Sequence, residues 1–171
     1  MTANAICGSD LHIYNGFIPQ KDPMIMGHEF VGIVEEVGDR VTKLMPGHCE
    51  HSNPGKYGPE SGNEDQKGGG LFGYTDLYGG YDGGQAGYVR VPHANFGPKK
   101  ISSDLADEAL LLLIDIVLTG FTSIVWAQMK GGEAVAVFGC GPVGLMAMKC
   151  AWLRGAGRSS SLEAVLKIED F

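Results

Sequence analysis

The chain has 171 residues, 27 of them glycine and 8 proline, where the usual ~7% share of glycine would give roughly 12; collagen is excluded, because it needs glycine at every third position and abundant proline. With 44% hydrophobic and 19% charged residues the composition is that of a folded, loop-rich protein, not a disordered one, with length for one domain or one and a fraction. A formal charge of −7 without any lysine or arginine cluster lacks the footprint of a nucleic-acid or anionic-membrane binder, so neither partner is expected. The longest apolar stretch stops at Asp115, short of the ~20 residues of a membrane span. Residues 1–11 have no basic start and no cleavable apolar segment, which points to a cytoplasmic protein. Cys7, Cys49, Cys140 and Cys150 include no Cys-x-x-Cys pair, which argues against a disulfide framework and a closed structural zinc knuckle.

In chain order, residues 30–37 (Phe-Val-Gly-Ile-Val-Glu-Glu-Val) read as a strand rich in branched side chains. Residues 48–87 are dense in turn chemistry, with Phe72, Tyr74, Tyr78 and Tyr81 between the turns, and 13 of the 27 glycines fall between Gly55 and Gly97. A loop of that length is expected either to cover a site or to be damaged. Residues 86–91 suggest a short strand. Ser102 or Ser103 can cap a helix with Asp104, Asp107 and Glu108 in its first turn, running to about Leu118. Residues 121–129 continue as a second helix ended by Lys130-Gly131-Gly132, and residues 133–138 form a buried-type strand.

Directly after that strand stands Gly139-Cys140-Gly141-Pro142-Val143-Gly144, and residues 145–153 have helical character. Strand, Gly-x-Gly-x-x-Gly and helix is the order of a dinucleotide cradle: the first glycine makes the tight turn, the second lets the backbone approach the pyrophosphate, and the third permits close packing. The helix N-terminus then offers free N–H groups to phosphate. In so glycine-rich a chain, plain turns are the competing explanation. Glu163, 19 residues after Gly144, is the candidate for the ribose hydroxyls, although Ser159-Ser160-Ser161 before it makes a poor buried strand.

The N-terminal zone holds Cys7-Gly8-Ser9-Asp10-Leu11-His12 and, 21 residues after Cys7, Gly27-His28-Glu29. Thiolate and neutral imidazole suit Zn(II), and ligands drawn from separated points fit a catalytic site with an open fourth position better than a structural one. Taken singly, Cys7 could equally be a small buried hydrophobe and His28 a satisfied core histidine. No second histidine follows His28 at metalloprotease spacing. Asp115 interrupts an apolar run, where a buried unpaired carboxylate would cost several kcal/mol. It is either a third ligand or a residue facing solvent or accepting hydrogen bonds in a turn.

Together these residues resemble the zinc-dependent medium-chain alcohol dehydrogenase family. Gly27-His28-Glu29-x-x-Gly32-x5-Gly38-x-x-Val41 is similar to its zinc signature, and Cys7-Gly8-Ser9-Asp10-Leu11-His12 to its first-ligand loop. Leu71-Phe72-Gly73-Tyr74, Gly79-Gly80-Tyr81-Asp82-Gly83-Gly84-Gln85-Ala86, Tyr88-Val89-Arg90-Val91-Pro92-His93-Ala94-Asn95 and Val137-Phe138-Gly139-Cys140-Gly141-Pro142-Val143-Gly144 resemble its glutathione-independent formaldehyde dehydrogenase branch. The resemblance implies an α/β architecture with a β-rich part: a GroES-like catalytic domain over residues 1–98, then connecting helices and the first part of a Rossmann domain over residues 99–171. It implies Cys7, His28 and Asp115 as zinc ligands, Glu29 beside the metal, Ser9 and His12 as a proton relay, and Asp10 orienting His28. Gly139, Gly141, Pro142, Val143, Gly144 and Glu163 would hold NAD. The implied reaction passes hydride from a small alcohol or aldehyde hydrate, activated by zinc, to NAD; a homo-oligomer is compatible with the resemblance.

The chain also departs from that pattern. Cys49 resembles the last of four structural-zinc cysteines without the other three, so that second zinc site is not expected. Leu118 stands where the branch usually has proline and Gly87 where it often has glutamate. The chain opens at what resembles an internal strand, and 27 residues follow Gly144 where a doubly wound fold has six strands. The alternative expectation is therefore a truncated, catalytically impaired zinc-binding or interaction module, or an incomplete gene product, with little turnover.

Overall fold

A computed structural model describes residues 1–46, 49–51 and 70–162, with side chains described for residues 1–46 and 70–159. Glu163, the side chain of Cys49 and residues 52–69 of the turn-rich stretch lie outside the described residues. The chain separates into two compact units, Met1–Ile114 and Asp115–Phe171.

In the first unit, β1 (Ala3–Asn4), β2 (Phe30–Ile33), β3 (Cys49–His51) and β4 (Lys99–Lys100) form one antiparallel sheet in that spatial order. The register pairs Ala3 with Val31 and Ile33 with Cys49. β2 is shorter than the run of branched residues suggests: its pairing with the three-residue β3 ends at Ile33, and Glu35 and Glu36 are exposed. Residues 86–91 form no strand, and Tyr88 is 78% exposed. Between β1 and β2 lies the short helix α1 (Gly8–Tyr14).

Helix α2 (Asp107–Leu111) closes one face of this sheet. Leu110, Leu111 and Ile114 form a core with Val31, and Ala3, Ala5 and Ile101 pack around it. That packing keeps α2 in the first unit. Its N-cap is Ala106, not a serine, because the Ser103 hydroxyl instead accepts the Leu105 N–H at 3.1 Å in a local turn.

The aromatic-rich segment folds back on the residues that precede β2. Gly27 N–H donates to Gly73 O (3.1 Å), Gly83 N–H to Ile25 O (2.7 Å), Gly84 N–H to Gly27 O (2.8 Å) and Gln85 N–H to Met26 O (3.0 Å). The Asp82 carboxylate accepts the Ile25 N–H at 2.9 Å. Phe72, fully buried, lies edge-on to Phe30 and against Tyr81, both at 5.6 Å between ring centroids. These close approaches require the glycines: a Cβ on Gly83 would meet the Met26 carbonyl carbon at 2.6 Å, and one on Gly84 would meet Phe30 at 2.5 Å.

The second unit is a strand–helix–strand repeat with one added helix. β5 (Ala134–Phe138) and β6 (Arg158–Leu162) pair in parallel, Ala134 opposite Arg158, with α4 (Pro142–Leu153) connecting them. The three serines thus do form a strand: β5 supplies the backbone partners that their composition does not predict. Helix α3 (Ile116–Trp126) runs unbroken through Gly120, so the break between helices falls at residues 112–115 and not at Gly120. Gly120 is where α4 crosses, since a Cβ there would come within 2.6 Å of the Ala147 amide nitrogen. Ile124, Met129, Ala147, Cys150 and Ala151 form the core, with Val135 and Val137 of β5 against it. Burial pushes the Cys150 thiol up.

Taken through α2 and α3, Asp107–Trp126 is a 20-residue stretch long and apolar enough by length and composition to cross a membrane, a correction to the shorter run read from the sequence. Leu110, Leu111 and Ile114 are buried in the first unit's core and Ile124 in the second's.

The interlock predicts a contrast between two glycines. Gly83→Ala forces a methyl group onto a carbonyl and is expected to destabilise the first unit by about 1–3 kcal/mol. Gly87→Ala, with open space around the position, is expected to leave stability unchanged. Urea titration followed by circular dichroism checks both.

Candidate functional site

The pairing of β1 with β2 sets the first geometry. Ala5 donates its N–H to Glu29 O at 3.1 Å, which brings Cys7, two residues further on, level with His28 and Glu29. The sulfur of Cys7, an imidazole nitrogen of His28 and a carboxylate oxygen of Glu29 all lie within 4.8 Å of one another. Cys7 and His28 are half-buried, and Glu29 is 3% exposed. Donor atoms ~2.0–2.3 Å from one tetrahedral zinc ion stand about 3.3–3.8 Å apart, so a modest inward shift of these side chains would bring the three donors onto one ion.

Asp10 ties two of these residues together. It is 4% exposed, a depth at which a carboxylate must have partners. One oxygen, Oδ2, accepts the Cys7 N–H at 2.9 Å, and the other, Oδ1, lies 3.0 Å from His28 Nδ1. A carboxylate beside Nδ1 favours the proton there and leaves the Nε2 lone pair free. Nε2 points toward the acidic side of the group, 3.8 Å from Glu29 Oε1. Thiolate, imidazole and carboxylate are a donor set that zinc accepts, with room for a fourth ligand.

The other face of the site was only half visible in the sequence. Tyr74 lies edge-on to the His28 imidazole, with ring centroids 5.1 Å apart and planes at 81°. The turn-rich segment signalled a loop over a site, but the neighbour of Tyr74 follows from the Gly27–Gly73 hydrogen bond, which no local pattern encodes.

On α1, Ser9 is half-buried and His12, one turn later, is exposed, its ring meeting Phe17 at 6.1 Å. Asp115 stands at the first residue of the second unit, in the N-cap position of α3, where Oδ1 accepts the Thr119 hydroxyl at 2.6 Å. The grouped donors are Cys7, His28 and Glu29; Asp115 is not among them.

In the second unit, Gly139 has φ +102°, a left-handed turn directly after β5. Gly141 is the N-cap of α4 and Pro142 opens its first turn, a position where proline's missing N–H costs nothing. A Cβ on Gly144 would fall on Gly139 O, whereas one on Gly141 would have nothing within 4 Å. The outer glycines are thus required by the chain itself, and the middle one leaves open space in front of helix N–H groups that have no intrahelical acceptor. That is the shape a pyrophosphate needs.

Comparison with known proteins identifies relatives of the chain. Residues 1–101 match the alcohol dehydrogenase GroES-like domain. A zinc-type alcohol dehydrogenase-like protein of Bacillus subtilis is 43% identical over 183 residues, covering 96% of this chain and 48% of its own length. A glutathione-independent formaldehyde dehydrogenase of Pseudomonas aeruginosa is 36% identical over 167 residues, covering 88% of this chain and 42% of that protein. Among solved structures, the alcohol dehydrogenase of Thermus sp. ATN1 superposes with a TM-score of 0.83 at 35% identity, over 96% of this chain and 49% of that one. The chain spans about half the length of the curated relatives it matches. With that domain extending over more than half of its residues, the chain belongs to the alcohol dehydrogenase GroES-like family.

Proposed function

We propose that the chain is part of a zinc- and NAD-dependent oxidoreductase of the alcohol or formaldehyde dehydrogenase type, acting on a small alcohol or aldehyde hydrate. The observation that carries this reading is the Cys7–His28–Glu29 donor group with Asp10 behind it. When bound, zinc supplies Lewis acidity that lowers the pKa of an alcohol, and NAD supplies the hydride acceptor.

The chain's own residues would divide the work as follows. Cys7 and His28 hold the metal, and Asp115 is the proposed third ligand. Glu29 stands beside the ion as a carboxylate able to balance its charge. Asp10 keeps the His28 proton on Nδ1. Ser9 and His12, three residues apart and therefore neighbours on one helix face, carry the substrate proton from a half-buried position to an exposed imidazole. Gly139 and Gly144 shape the cradle, Gly141, Pro142 and Val143 face the dinucleotide phosphates, and Glu163 is the proposed partner of the ribose hydroxyls. A cytoplasmic setting keeps the Cys7 thiol reduced and available.

A second reading is a zinc-binding or interaction module without turnover. It is favoured by the outer face of β5, where Phe138 is 82% exposed although the strands of a doubly wound sheet are covered on both faces.

Elemental analysis of the purified chain is expected to find about one zinc, lost in the double variant Cys7→Ser with His28→Ala; Asp10→Asn is expected to weaken binding roughly 10–100-fold. Zinc unchanged in the double variant would refute the site.

Gly141→Ala is expected to keep the thermal stability of the free chain but to weaken NAD binding about tenfold, ~1.4 kcal/mol, in calorimetric titration. Little NADH formation from formaldehyde or ethanol is expected from this chain alone; sustained formation would remove the second reading.

A further inference from the structure

We infer that Tyr74 is a positioning residue for the metal ligand His28, acting through its ring and not its hydroxyl; this rests on the reading of His28 as a zinc ligand. Asp10 contacts the imidazole at one atom, Nδ1, at 3.0 Å. That contact bears on the tautomer and lies, like the Glu29 carboxylate 3.8 Å from Nε2, at the ring's polar edge. The Tyr74 ring supplies a further constraint, edge-on at 5.1 Å and 81°, a favourable geometry for two aromatic rings.

Tyr74 can act in this way because its backbone is pinned on both sides. Gly73 O accepts the Gly27 N–H at 3.1 Å and Gly73 N–H donates to Tyr81 O at 2.7 Å, so residues 28 and 74 each follow a member of one hydrogen-bonded pair. On the other side, Thr75 is buried, its hydroxyl donating to Pro19 O at 3.2 Å and accepting the Leu77 N–H at 3.3 Å. Tyr78, in the 3₁₀ turn Asp76–Tyr78, backs the Tyr74 ring at 5.7 Å. Gly73 has φ +52° and would press a Cβ onto Met26 and Gly27 at 2.6 Å. The close approach that brings Tyr74 to His28 is therefore available only to glycine at position 73. The imidazole thus meets groups from different parts of the chain, polar ones at its nitrogens and the Tyr74 ring edge-on to it.

The test uses the whole chain loaded with Co(II), whose absorption reports ligand geometry. Tyr74→Leu is expected to shift the cobalt visible bands and to release the ion to a chelator about tenfold faster, while Tyr74→Phe keeps both as in the parent. A Tyr74→Leu protein with parental spectrum and release rate would overturn the inference, as would a Tyr74→Phe protein that behaves like Tyr74→Leu. Cys7→Ser and His28→Ala run in parallel separate the two levels: if they too bind cobalt as the parent does, the site itself is refuted. Should Tyr74→Leu fail to fold, nuclear Overhauser contacts between the His28 and Tyr74 ring protons of the zinc-loaded parent decide the matter. Their presence supports the inference and their absence overturns it.

Discussion

The Asp10 carboxylate is the interaction on which the candidate centre depends. It is nearly inaccessible to water; Oδ2 accepts the Cys7 N–H, and Oδ1 stands in close contact with His28 Nδ1, 3.0 Å away. A buried charge without partners would be several kcal/mol uphill, so the burial of Asp10 on α1 favours bringing the segment before β2, with His28, up against that helix. The same two contacts place two metal donors side by side. Stability of the local fold and assembly of the donor group therefore share one cause.

What holds the His28 side of that arrangement is backbone, not side chain. Residues 25–27 carry no regular secondary structure, and such a segment would ordinarily be mobile. Here it lies in a ladder of hydrogen bonds from Gly73, Gly83, Gly84 and Gln85, with Phe30 and Phe72 packed beneath. Glycine is needed at Gly73 and Gly83 because two backbones approach within a distance that a Cβ would fill, and at Gly84 because the Phe30 side chain occupies that space. The glycine excess in this part of the chain thus serves to bring a loop close enough to position a histidine.

The glycines of the second unit work differently. Gly139 needs its left-handed conformation and Gly144 needs its lack of a side chain against Gly139, both for reasons internal to the turn. Gly141 has no such internal reason, since a methyl group there would meet nothing. Gly141 is thus a glycine that the fold does not require, at the N-terminus of α4 where N–H groups have no intrahelical acceptor. Gly120 belongs with the packing glycines: it admits α4 against α3, and it explains why α3 does not break where the sequence places a helix breaker.

The sequence by itself determined the residues with distinctive chemistry. Cys7 and His28 are recognisable by type and spacing, Asp10 and Glu29 through the resemblance of the motifs that hold them, and the strand, glycine turn and helix of residues 134–153 follow from a local pattern that needs no distant partner. Elements that rely on a partner were less legible. The run from Phe30 stops at Ile33 because pairing with β3 ends there, residues 86–91 have strand composition without a strand, and the serines of β6 become a strand because β5 lies beside them. Only the tertiary structure decided that Glu29 joins the donor group, that Asp115 bonds Thr119 in its own unit, and that Tyr74 faces His28. The physical reason is the same in each case: hydrogen-bond spacing along a helix or through a tight turn is written into neighbouring residues, whereas contacts between residues 28 and 74 depend on how two backbones far apart in sequence come into register.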